Sequence, residues 1–515
     1  MRLLLLITAA LACLAAEPEQ SGITQAWSAV LGQTGAVSPA VANRGGDPLP
    51  DNFLNHLFLQ SRTEYIREHT SFTGLPTLSG VINAEPALVS NPSGIPYPGA
   101  FQPTANRVYE LLNFGARAWL TSRVDSSFTL RYQQDLTGVD SASPALNLLN
   151  TFAHDRRVEL LDAAADIHGL PGDALAGTNL RVGRQYVYGA ELAAFDGASL
   201  SMERSRYSIT LFGGRRFSLY SDPVQRAIGG GNLRVRLNDS STVEYDALFY
   251  VRGSQRVIYR KKLERDWFLT ANFRAVASSP ADLSAQVRYL GHSGKTTGGL
   301  AFFHKLTSKD FYYDYSVVAR DNDPHDKLPR LNLGPISPYT QVAMDAHHMV
   351  VPRLRVGGLI WIRRLNNSTD QSAFDTSFED WRLNAQVFAV HKIELDAEFH
   401  RHNSHRANAS GEALFDDISR SGETRIQDVT AETRRPFLEG KLSLIAGGFY
   451  RTLDFHDRFH VIKNAHERGI LGSAWYRLDP KTRLWLDYSL DTDYSVFRPD
   501  IRNSTILRVG LDWKY

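Results

Sequence analysis

Along most of this chain apolar residues recur at every second position. In the closing stretch, NSTILRVGLDWKY, Leu507, Val509, Leu511, Trp513 and Tyr515 alternate with Ile506, Arg508, Gly510, Asp512 and Lys514. A period of two marks a strand with one oily face and one wet face. The pattern returns in NLRVRL (Leu233, Val235, Leu237), TVEYDALFYV (Val243, Tyr245, Ala247, Phe249, Val251) and DWFLTANFRAVA (Trp267, Leu269, Ala271, Phe273, Ala275). It returns again in DLSAQVRYL, KIELDAEFH and TRLWLDYSL. Many such runs are about ten residues long, the length a tilted strand needs to cross a bilayer. No long amphipathic helix interrupts them, and 22 candidate strands can be counted between about 55 and 515.

Connections sharpen the picture. Very short turns are expected at NDSS (238–241), SSPAD (278–282), VVPR (350–353) and LDPKT (478–482), with longer polar loops at 320–340, 365–380, 403–424 and 453–466. Short turns at one end and long loops at the other describe an outer-membrane barrel with tight periplasmic turns and long extracellular loops. The expected fold class is therefore all-β: a single large antiparallel transmembrane β-barrel of about 18–22 strands. Closure has a physical cause, because lipid offers no water to satisfy a strand edge. Register gives an internal test. Centring the hairpin on NDSS sets Leu237 opposite Val243 and Val235 opposite Tyr245, with Arg236 on Glu244 and Arg234 on Asp246. Every such pair is chemically compatible. The alternative, a soluble β-sandwich, needs a second sheet over the apolar face. A barrel this wide holds a water channel or a plug, since side chains alone do not fill it.

Composition narrows the classes. A formal charge of +2 over 515 residues gives no electrostatic case for nucleic acid. After the first residues no stretch approaches about 18 consecutive apolar residues, so no transmembrane helix is encoded. The start, MRLLLLITAALACLAAEPEQ, has a basic residue, a short apolar core and small residues before polar chain. That is the make-up of a secretory signal peptide, taken as residues 1–16. Cys13, the one cysteine, lies inside it, and ALAC leaves a lipoprotein cysteine as the alternative. Residues 17–54 read as a periplasmic N-terminal leader or a small lumen insert, and 55–515 as the barrel. The leader is far shorter than a separate plug domain. The stretches 70–107 and 137–155 are long enough to fold inward and narrow a pore.

Strand phase places Arg131, Arg234, Arg236, Arg274, Arg288, Arg477, Arg483 and Arg508 on the wet face, together with Glu244, Asp246, Glu394, Asp396, Glu398, Asp487 and Asp512. Both signs are abundant. A wet pore lined this way has a transverse field and little net selectivity, whereas a strongly selective one has a ring of one sign. The row Glu394, Asp396, Glu398 reads as a solvated wall, with cation binding as the alternative. Histidines gather at His400, His402 and His405 and at His347 and His348. No Asp or Cys frame accompanies them in sequence, so no metal site and no cofactor is expected. A lipid hydrolase would need a nucleophile beside a base. Ser404–His405 and Ser421 supply no triad geometry, and no G-x-S-x-G elbow is present. No catalytic residue is expected.

One stretch stands apart: LRVGRQYVYGAELAAFDGASL, with Gly183, Arg184 and Gln185, then Gly189, then Phe195, Asp196, Gly197 and Ala198. Paired as a hairpin, Val182 faces Ala198, Leu180 faces Leu200 and Arg184 faces Asp196 near the outer rim. The ion pair shares the apolar phase. It reads as a structural clamp on a short external hairpin, with solute contact as the alternative. The stretch resembles the outer-membrane porins of the alginate-export type, in which a GRQ strand is followed by FDGA on the next strand. The resemblance implies a monomeric barrel that passes polysaccharide or other polar solutes. The expectation is thus a passive porin in the outer membrane of a diderm bacterium, for small polar solutes or saccharides, monomeric with a trimer as the alternative. Outer-membrane lipid, periplasmic chaperones and the barrel-assembly machinery would be its partners, and nucleic acid would not. A surface adhesin or structural barrel with a closed lumen is the other class kept open, ahead of the lipid hydrolase.

Overall fold

The computed structural model describes residues 56–72, 104–118, 123–136, 158–170, 177–190, 192–217, 227–250, 253–264, 266–291, 293–307, 338–366, 377–390, 392–405, 423–456, 461–492 and 501–515. The expected signal peptide with Cys13, the leader 17–54, the core of the 70–107 loop and the loop 137–155 lie outside these residues. Twenty-two strands follow one another: β1 Leu57–Phe72, β2 Thr104–Ala116, β3 Val124–Asp135, β4 Val158–Ile167, β5 Thr178–Tyr188, β6 Leu192–Glu203, β7 Tyr207–Arg216 and β8 Ala227–Asn238. Then come β9 Ser241–Phe249, β10 Gly253–Lys262, β11 Trp267–Val276, β12 Ser279–Leu290, β13 Thr296–Lys305, β14 Tyr339–Val351 and β15 Leu354–Leu365. The series ends with β16 Ser377–Val390, β17 Ile393–His405, β18 Glu423–Phe437, β19 Leu442–His456, β20 Val461–Arg477, β21 Thr482–Thr492 and β22 Ile501–Lys514.

Each strand pairs antiparallel with its sequence neighbours, and β1 closes on β22. The terminal run is therefore part of the seam: Val509 pairs with Tyr65, Asp512 with Arg62, and the Tyr515 N–H donates to the Leu59 carbonyl at 2.8 Å. With no free edge, the backbone satisfies itself all the way round.

The alternation seen in sequence becomes two faces. Leu233, Leu237, Trp381, Leu383, Leu395, Phe399, Leu484, Leu486, Val509, Leu511 and Trp513 are large, exposed and in one phase. The opposite phase of the same strands carries the ion pairs. Exposed apolar side chains on one whole face of a closed sheet are stable only against acyl chains. The chain is a transmembrane barrel of the outer-membrane class, and its polar face is the lumen wall.

Two details correct the sequence reading. In the hairpin of β8 and β9 the register is displaced by two: Val235 pairs with Val243, Arg234 with Glu244 and Asn232 with Asp246. The cause is a tighter turn. Asn238 Oδ1 accepts from the Ser240 N–H at 2.9 Å and from Ser241 Oγ at 2.8 Å, and Asn238 pairs with Ser241 beside a bulge. A displacement of two leaves every side chain on its expected face. The second concerns SSPAD. The turn is only Ala277–Ser278, both at positive φ, and residues 279–282 already belong to β12 with a bulge that leaves Ala281 unpaired. Positive φ at both central residues is the twist a two-residue hairpin needs. Moreover, this turn lies at the rim opposite the start of β1 and the end of β22, as do the connections from β5 to β6 and from β9 to β10, while NDSS, VVPR and LDPKT lie at the other rim, the terminal rim. That opposite rim therefore carries long connections and tight turns together. The expected loops also shrink: β20 reaches back to Val461 and β17 extends to His405.

Candidate functional site: the lumen wall

All fifteen wet-face candidates stand in the polar phase of their strands. Arg131 in β3 bonds Glu159 at 2.5 Å. Arg234 and Arg260 both reach Glu244, at 2.9 and 2.8 Å, and Arg256 holds Asp246 at 2.7 Å. Asn232 bridges the two acids. Asp246 is wholly buried, so its charge depends on these donors. Arg274 holds Asp282 at 2.6 Å. Between β21 and β22 Arg483 is paired to Asp512, and across the seam Arg62 of β1 approaches the same carboxylate at 3.7 Å. Arg508 stands 3.9 Å from Glu64, and Asp487 accepts from Ser473 Oγ at 2.5 Å. Of the acidic row, Glu394 sits in register with Arg434, Asp396 accepts from Gln386 at 2.8 Å, and Glu398 pairs with Thr430. Arg236 stands opposite Thr242, Arg288 opposite Gly299 and Arg477 opposite Arg483. The wall is thus a mosaic of local ion pairs with no ring of one sign among the described residues.

Alternation along the chain does not reveal how aromatic rings are seated on the wall. On the inner phase, Trp485 lies flat over Gly510, where an added Cβ would meet the indole at 2.1 Å. Phe449 lies over Gly469 in the same way, and Phe212 over Gly230. Glycine on the paired strand gives each ring a seat on the wall, which is how aromatics cover backbone in sheets. Nor is the inner phase polar throughout. Phe195, Leu248, Val276 and Ala281 are fully buried there and cluster with Ala193 and Ile228, beside the Ala277–Ser278 turn.

The GRQ and FDGA stretch forms the hairpin of β5 and β6 with the expected register: Val182 on Ala198, Leu180 on Leu200, Arg184 on Asp196. Arg184 donates to both Asp196 oxygens, at 2.7 and 2.9 Å, and to the Leu160 carbonyl at 2.8 Å, and its guanidinium lies 4.3 Å from the Phe217 ring centre. Gln185 is buried; it accepts from Ser199 Oγ at 2.6 Å and donates to the Gly197 carbonyl at 3.2 Å. Gly183 has φ +132°, and a Cβ there would meet the Ala163 carbonyl at 2.1 Å. A Cβ on Gly197 would strike the Gly213 carbonyl at 2.2 Å. The two glycines admit close strands, and the charged pair lies on the outward phase of β5 and β6.

The histidines divide. His347 and His348 are neighbours on opposite faces: His347 lies against Gly357, and His348 bonds Thr296 at 2.8 Å. His405 is the last residue of β17. His400 and His402, two apart on β17, share the lumen face, and register sets Asp380 of β16 opposite His402. Both imidazoles meet one oxygen, Asp380 Oδ2, at 2.8 Å from His400 and 3.0 Å from His402. Asp380 lies 20 residues upstream of His400, and only strand pairing reveals the relation.

No protein-family model matches the chain, and no curated protein is similar to it in sequence. Solved structures similar to it in shape include a BenF-like porin from Pseudomonas fluorescens Pf-5, at 11% identity and a TM-score of 0.41, covering 90% of this chain and 100% of that one. The translocation pore of the P pilus usher PapC aligns at 9% identity and 0.47, covering 88% and 99%. Pseudomonas aeruginosa OpdK, in its structure with vanillate, aligns at 10% and 0.39, covering 90% and 100%.

Proposed function

We propose that this chain is a passive outer-membrane porin that lets small polar solutes or saccharides diffuse through a wet, charge-mosaic lumen. One observation carries the reading: a closed 22-strand sheet whose exposed apolar chains share one phase and whose ion pairs share the other. A barrel of this strand number is too wide for its own side chains to fill. Paired charges of both signs keep water and dipolar solutes in the lumen without trapping ions of one sign. In this reading residues 1–16 direct export, 17–54 are a periplasmic leader and the terminal rim faces the periplasm. The chain acts as a monomer, performs no reaction and needs no cofactor.

The alginate-export resemblance supports a saccharide as the finer solute class, with the Arg184–Asp196 hairpin as the shared feature. Two measurements test the proposal. Purified protein in planar bilayers should give defined conductance steps, and an electrically silent barrel would leave the adhesin class. Proteoliposomes should then swell in neutral oligosaccharides and in polyuronate fragments alike; exclusion of both sugars would remove the saccharide reading while leaving the porin.

A further inference from the structure

We propose a binding site for a divalent transition-metal ion, Zn²⁺ in the first instance, on the lumen wall, formed by Asp380 Oδ2, His400 Nε2 and His402 Nδ1. These three ligand atoms lie within 4.8 Å of one another, and it is the one such trio among the described residues. Zinc bonds nitrogen and oxygen at roughly 2.0–2.2 Å, which sets tetrahedral ligands roughly 3.3 Å apart. The observed 2.8 and 3.0 Å between the carboxylate oxygen and the two nitrogens open to that spacing by a few tenths of an ångström.

The surroundings favour a metal over a bare hydrogen-bond cluster. His400 Nδ1 meets Asp428 Oδ2 at 3.1 Å, so the nitrogen not facing Asp380 already has a carboxylate acceptor. Metal-bound histidines are oriented this way by a carboxylate behind them. Arg382 donates Nε to Asp380 Oδ1 at 3.0 Å, which fixes that carboxylate and leaves Oδ2 for the site. Asp380 and His400 are buried, whereas the His402 side chain is 23% exposed, so the trio has a solvent side where a water completes four-coordination. Behind the trio, Arg382 pairs with Asp380, and Arg451 with Asp428 and Glu467. Bound zinc would take one carboxylate and two neutral imidazoles as ligands.

The test uses the full-length barrel refolded in detergent and stripped with chelator. Equilibrium dialysis against Zn²⁺ should give one bound ion per chain. His402→Ala should lower the affinity at least tenfold. Asp428→Asn, which leaves all three ligands in place, should lower it about 10–100-fold. Each variant is first shown to be folded by its strand circular dichroism and heat-dependent gel migration. Should buried variants fail to fold, Co²⁺ added to the wild type serves alone: intense visible bands of a four-coordinate ion support the site. Weak six-coordinate bands, no bound Zn²⁺, or affinity unchanged in His402→Ala would each overturn it. None of these readouts depends on conductance, so failure here is distinct from failure of the porin reading.

Discussion

At the scale of single residues, the most demanding positions are those where a side chain has nowhere else to go. Gly183 combines positive φ with a neighbouring carbonyl at 2.1 Å from any added Cβ, so Gly183→Ala strains the backbone and overpacks β4 together. It should cost about 2–3 kcal/mol in urea unfolding in lipid vesicles. Gly510→Ala meets the Trp485 ring. The indole must leave the wall and enter the lumen, so a smaller single-channel conductance is expected together with a loss of about 1–3 kcal/mol. An unchanged conductance would mean that the ring has room to shift along the wall. Arg184 and Asp196 are a mutual need. Arg184→Met leaves a carboxylate on the lipid-facing phase near the membrane boundary, at a cost of about 1 kcal/mol for a rim position. Adding Asp196→Leu should restore stability, and a double-mutant cycle in vesicles measures the coupling.

At the scale of elements, the hairpins differ in what holds them. The β8, β9 and β10 group is fastened by buried charge: Asp246 is fully buried and depends on Arg256 and Asn232. Asp246→Ala leaves Arg256 without its carboxylate and should destabilise the barrel by about 3–5 kcal/mol. Asp246→Ala combined with Arg256→Met should recover much of that, since a neutral pair no longer strands a charge. The outcome against this account is equal loss in the single and double variants. Other elements rest on their turns. In the LDPKT turn the Asp479 carboxylate accepts the Lys481 N–H at 2.7 Å, which holds its pKa below the ordinary carboxylate value. By linkage, that contribution is present above the unfolded pKa and fades as pH falls through the lowered one.

At the scale of the whole molecule, closure and charge balance decide behaviour. The wet-face set read from the sequence holds eight arginines against seven carboxylates, so ion currents should show a reversal potential near zero in a salt gradient. Replacing Arg483 and Arg508 by Glu puts like charges beside Asp512 and Glu64 and should shift the pore clearly toward cations. A pore that stays unselective would place its narrowest point away from the β21–β22–β1 seam.

The sequence by itself determined the class of sheet and the face of nearly every side chain. Alternation is a local property, and a period of two survives even when a register is misjudged by two, as between Arg234 and Glu244. The Arg184–Asp196 contact was readable for the same reason, because its partners lie 12 residues apart on one hairpin. What needed the tertiary structure was everything that joins strands through space. The seam of β1 with β22, the rim to which the Ala277–Ser278 turn belongs, the rings seated on glycines and the meeting of Asp380 with His400 and His402 all depend on bulges, twist and pairing across long connections. Those are set by closure of the whole sheet, and no window of the chain contains the information that closure adds.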